Sequence, residues 1–136
     1  MAQNKITTTV TLKLVSPGGT DTLTATVTTD QVGSNFSKET QLITTADAIQ
    51  LDIPSDIADG KLGQLMIRNM SAVANPTVAL ADETYIDIAL DEPMVNKIAR
   101  VRPQECHLIN SPAGTSTLFL QAHGADVPII FFAIEL

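Results

Sequence analysis

The sequence predicts an all-β fold, an antiparallel sandwich or barrel of about nine or ten short strands. Period-two alternation of apolar and polar residues recurs from end to end while helical periodicity is nearly absent. The breaks between the alternating runs carry turn chemistry, rich in Pro, Gly, Asn and Asp. The closing run VPIIFFAIEL (127–136) adds a further observation: read as a strand, it is apolar on both faces.

The first alternating run is ITTTVTLKL, with Ile6, Val10, Leu12 and Leu14 on one side and Thr7, Thr9, Thr11 and Lys13 on the other. It reads as a half-buried strand. SPGGT (16–20) is a turn, since proline presets one dihedral and the glycines tolerate positive φ. TLTATVTT then alternates again, with Leu23, Ala25 and Val27 inward. The two runs make a hairpin whose threonine face suits both pleat and water. DQVGSNFSKE (30–39) is a loop or a short edge strand; strands follow around TQLITT and around AIQLDI, where Ile49, Leu51 and Ile53 are in register. PSDIADGKLG holds at most one helical turn and divides the chain into halves without making two domains.

The second half is denser in strands: QLMIRN, TVALA, TYIDIAL, MVNKIARV, CHLIN, STLFLQA and the closing run. In TYIDIAL the inward set is Ile86, Ile88 and Leu90, leaving Tyr85, Asp87 and Ala89 outward. In TLFLQA, Leu118 and Leu120 oppose Phe119. In the closing strand Ile129, Phe131 and Ala133 share one face and Ile130, Phe132 and Ile134 the other. Such a strand either sits centrally with something packed over each side, or has its outer face covered by another chain. The second is favoured, because the outer faces of a sandwich this small are normally wet. These six residues are therefore the candidate interface. The organisation expected is a flexible arm over residues 1–5 and a single domain over 6–136.

Composition narrows the function classes. A chain of 136 residues buries roughly two thirds of its unfolded surface, enough for a core without staples. One cysteine, Cys106, excludes an intramolecular disulfide, and MAQNKITTTV lacks a secretory apolar region, so synthesis in a cytoplasm is expected. Fifteen acidic against eight basic residues give a net charge of −7, which disfavours nucleic acid and anionic membranes as partners. No apolar run reaches the roughly 20 residues of a membrane helix.

Catalytic chemistry is scarce in the sequence. His107 and His123 are the two histidines, and His107 neighbours Cys106. Adjacent strand residues point oppositely, so those two cannot act as nucleophile and base; the reading is a buried thiol beside an outward imidazole. Zinc and cupin spacings are missing, the acids at 81–83 and 91–93 flank one strand at opposite ends, and the glycine-rich stretches lack a phosphate loop's context. Lys97, Arg100 and Arg102 cluster on both faces of one strand as surface charge. Asn35 and Asn69 begin chance Asn-x-Ser matches. Without tryptophan, and with Tyr85 as the one tyrosine, an aromatic sugar platform is weakly supplied. No catalytic residue, metal or cofactor is expected.

Residues 62–136, with the order GQLMIRN, PTVAL, YIDIALDEP, GTSTLFLQA and a last strand ending in IEL, resemble small structural proteins of tailed-bacteriophage virions. The resemblance covers a little over half of the chain and is one of pattern, with no diagnostic motif. It implies a jelly-roll-like β-sandwich acting as a head decoration or cement protein, or as a neck or tail component. It further implies a homo-oligomer, a trimer foremost, bound to major capsid or other virion proteins, located in the virion after synthesis in the host cytoplasm. The strongly apolar last strand departs from many decoration proteins. The alternative reading is a receptor- or glycan-binding β-sandwich module using loops 31–39 and 70–76.

Overall fold

The structure, a computed structural model, describes residues 4–30, 35–55, 57, 62–72, 84–110 and 117–135. The chain divides into two compact units, Met1–Ser34 and Asn35–Leu136. The sequence predicts one domain from residue 6; among the described residues the first two strands pair with each other and with no other strand. Of the expected arm, residues 1–3 lie outside the described residues and Lys5 already opens a strand.

The first unit is a hairpin of β1 (Lys5–Ser16) and β2 (Gly19–Asp30). Its register runs without a slip from Lys5↔Asp30 to Ser16↔Gly19. At the tip, Ser16 Oγ donates to the Gly19 carbonyl at 3.2 Å, and Gly19 stands at φ 141°, where a side chain is strained. Alternation sorts the faces as the sequence predicts, with Thr7, Thr9, Thr11 and their partners Thr28, Thr26, Thr24 on one side. Each threonine pair is joined Oγ1 to Oγ1 at 3.2–3.3 Å. The opposite side is not half-buried as expected: Val10, Leu12, Leu14, Leu23 and Val27 are 58–71% exposed. Among the described residues no further strand pairs with the hairpin, and a two-stranded ribbon has no second layer of its own.

Among the described residues the second unit is an antiparallel β-sandwich of eight strands. These are β3 (Phe36–Ile43), β4 (Ile49–Gln50), β5 (Leu62–Asn69), β6 (Tyr85–Ala89), β7 (Lys97–Val101), β8 (Cys106–Asn110), β9 (Phe119–His123) and β10 (Val127–Glu135). One sheet has the order β3-β10-β5-β8 and the other β4-β9-β6-β7. The strands pair first with last: β3 with β10, β4 with β9, β5 with β8 and β6 with β7. The chain therefore behaves as one long folded-back ribbon, rolled so that β10 also meets β5 and β9 also meets β6. That is the jelly-roll arrangement, in which consecutive pairs of the ribbon fall alternately in the two sheets.

The core lies between the sheets. Ile43, Leu65, Ile67, Val127, Ile129, Phe131 and Ala133 come from the first sheet, and Ile86, Ile88, Leu120, Ala122 and Val101 from the second. The segment 30–39, open between loop and edge strand, becomes from Phe36 onward the edge strand β3. The AIQLDI strand shrinks to two residues, Ile49 and Gln50, although Leu51 and Ile53 are still buried. What holds this segment is Gln41, whose Nε2 donates to the Gln50 carbonyl and whose Oε1 accepts from the Asp52 amide. The expected TVALA strand lies outside the described residues.

Candidate functional site

The closing strand is central in its sheet, with β3 on one side and β5 on the other. Its two faces separate cleanly. Val127, Ile129, Phe131 and Ala133 are at most 1% exposed and belong to the core. Of the six candidate interface residues, Ile129, Phe131 and Ala133 are thereby withdrawn from contact with another chain. Ile130 and Phe132 are half-buried on the outer face, and Ile134 there is 8% exposed.

Register shows what surrounds them. Phe132 stands opposite Lys38 on β3 and Met66 on β5, and Met66 in turn stands opposite Leu108 on β8. Phe36 packs its ring on that of Phe132 with centroids 5.9 Å apart and is itself 64% exposed. Leu42, opposite Pro128, is 56% exposed, and Met66 is 42% exposed. An apolar band thus crosses the middle of an outer sheet face, where a lone sandwich carries polar side chains. Lys38, Thr40 and Arg68 border it.

The second arrangement is polar and sits on the outer face of the other sheet. Asp87 is only 1% exposed, because three side chains converge on it. Lys97 Nζ donates to Oδ2 at 2.8 Å, and Arg100 donates from Nε to Oδ1 at 2.8 Å and from Nη2 to Oδ2 at 3.2 Å. His123 Nε2 lies 3.3 Å from Oδ2, out of line for a hydrogen bond. Burial pushes the Asp87 carboxyl up, but the hydrogen bonds and charges of Arg100 and Lys97 outweigh it and hold the group below its ordinary value. The same contact raises Arg100. Tyr85 stacks on His123 at 4.6 Å between centroids and lies beneath Arg100, 3.9 Å away. The acid is neutralised by its two cations and the one tyrosine is stacked between His123 and Arg100, while the buried Nε2 of His123 has no hydrogen-bond partner among the described residues.

Sequence reasoning placed Lys97 and Arg100 on opposite faces of one strand and read them as surface charge. A register shift between Ile88 and Ala89 in the β6–β7 pairing instead brings both to Asp87. Leu90, just beyond the end of β6, is 46% exposed and Ala89 is buried, which corrects the inward set expected for TYIDIAL. Arg102 donates its backbone amide to the Glu105 carboxylate at 3.1 Å. Bulges leave no signature in alternation alone, so nothing in the sequence announced the Asp87 cluster.

Other expectations also change. Cys106 is exposed and His107 half-buried, the reverse of the expected pair, because Cys106 is opposite the outward Arg68 and His107 opposite the core residue Ile67. Asn69 is fully buried, its Nδ2 donating to the Val101 carbonyl and its Oδ1 accepting from the Ser71 amide, so it has no room for a glycan. Gln104, at φ 65°, completes this corner by donating to the Ser71 carbonyl and accepting from Arg68. Of the loops considered for glycans, 31–34 and 73–76 lie outside the described residues.

Among the described residues no group of three His, Cys, Asp or Glu side chains is placed to hold a metal ion. A depression of about 300 Å³ beside β3 is lined by Glu39, Thr40, Gln41, Asp52, Pro54 and Phe131. No helix of the described residues is long and apolar enough to cross a membrane. Comparison with protein-family models, curated proteins and solved structures gave no significant match.

Proposed function

We propose that this chain is a non-enzymatic structural protein of a virus particle, one that self-associates and binds a larger protein assembly. Within a particle it acts as a capsid decoration or cement protein or as a neck or tail component, with a trimer as the expected oligomer. The observation that carries this reading is the apolar band on the outer face of the β3-β10-β5-β8 sheet, centred on Phe132, Ile130 and Met66. Its mechanism is mechanical. Apolar area removed from water contributes about 25 cal/mol per Å², and repeated attachment across a lattice makes individually weak contacts persistent.

Fold alone does not choose this function, since jelly rolls serve capsids, lectins and enzymes alike. The choice rests on the site: an apolar band suited to protein contact, and a buried acid, Asp87, already neutralised by Lys97 and Arg100. Light scattering of the chromatographed protein at micromolar concentration tests self-association. Oligomers that dissociate when Phe132 is replaced by serine support the reading, and a clean monomer overturns it.

A further inference from the structure

The hairpin of β1 and β2 presents a stripe that its own unit leaves open. The register sets Leu12 against Leu23 and Val10 against Ala25, with Leu14 toward the tip and Val27 toward the base. Val10, Leu12, Leu14, Leu23 and Val27 are each more than half exposed. We infer that this stripe is a second surface through which copies of the chain join, beside the Phe132 band, the hairpin of one copy packing on the same stripe of a second copy's hairpin. The inference rests on the reading of the protein as self-associating, and it names where a further contact lies.

Several features favour a second hairpin as the occupant. A two-stranded ribbon is marginal by itself, whereas two ribbons packed face to face form a layered sheet pair with a dry interior. Only one face asks for cover, since the other carries the joined threonine pairs and faces water without cost. Among the described residues of the apolar face the charged one is Asp21, opposite Leu14 near the tip.

Charge then selects the partner. The first unit holds Lys5, Lys13, Asp21 and Asp30, which cancel, so the whole net charge of −7 belongs to residues 35–136. Hairpins therefore meet without net charge repulsion. A stripe packed on the same stripe of a second copy is self-complementary, as a two-fold contact requires.

The test uses the full chain in a Cys106→Ser background. Leu12→Cys places a thiol on the stripe and Thr11→Cys one on the threonine face. Under a mild oxidant that couples two thiols into a disulfide, Leu12→Cys is expected to give covalently linked pairs of chains and Thr11→Cys none. A companion variant, Leu12→Thr, Leu14→Thr and Leu23→Thr together, exchanges leucine for a polar residue of good strand propensity and is expected to lower the mass in light scattering. If that variant loses its β signal in circular dichroism, the cross-link alone decides. An oligomeric wild type in which Leu12→Cys does not cross-link overturns the hairpin inference and leaves self-association standing. A monomeric wild type overturns both.

Discussion

The carboxylate of Asp87 accepts a 2.8 Å hydrogen bond from Nε of Arg100 across the β6–β7 pairing, with the acid side chain 2% exposed and the arginine 51% exposed. The two partners are thus unequal in what their loss leaves behind. Asp87→Asn removes a buried charge and frees two cations that already stand half in water, at a cost of about 1–3 kcal/mol. Replacing Lys97 and Arg100 together by methionine strands the buried carboxylate and is expected to cost about 3–5 kcal/mol. Denaturant unfolding of both variants checks the order, which is the reverse of what exposure alone would suggest.

The same acid gives a pH dependence. Its folded carboxyl titrates below the unfolded value of 3.8, so the folded state binds protons less readily than the unfolded one. The stability it contributes is complete above the unfolded value and is lost as pH falls through the lower folded value. The stability gap between wild type and Asp87→Asn is therefore expected to be widest near neutrality and to narrow below about pH 4. Thermal melts across the acid range measure it.

Neighbouring phenylalanines should behave differently. Phe131, 1% exposed in the core, is expected to cost about 3–5 kcal/mol on replacement by alanine. Phe132→Ala, on the outer face, should cost the isolated protomer only about 1–2 kcal/mol and chiefly weaken association. Melting temperature and oligomer mass, read on both variants, separate the two roles.

At the corner of β5, Asn69→Leu leaves the Val101 carbonyl and the Ser71 amide without the partners they now have. A loss of about 1–3 kcal/mol is expected, visible as a lower denaturant midpoint with unchanged slope.

Cys106, exposed on β8, should react with a thiol reagent in the native protein without denaturant, one label per chain by mass spectrometry. Protection that disappears on dilution would place β8 inside an oligomer contact.

Much of the fold was legible because a strand buried on one face writes period two into its sequence. Ile129, Phe131 and Ala133, and likewise Ile86 and Ile88, declare their faces that way. Which strand sits beside which is a different matter, since first-with-last pairing joins Ile43 to Val127 across the unit and no local pattern encodes that. The hairpin shows the converse limit: Leu12 and Leu23 alternate like core residues yet are 70% and 71% exposed, because alternation records that a face is apolar and not what covers it. Asp87 was read as an outward polar residue, and its face was right. Its burial came from a register shift that recruited Lys97 and Arg100, which sequence spacing does not register.

First-with-last pairing also bears on how the protein comes into being. Because β10 lies between β3 and β5, ribosomal synthesis must reach it before β3 gains its sheet neighbour, whereas β5 has β8 as a further partner. Until then Ile43, Leu65 and Ile67 await a lining that is not yet translated. Such long-separation closure is slow, on the order of milliseconds to seconds, so a chain halted before β10 is a substrate for chaperones rather than a smaller working version of the whole.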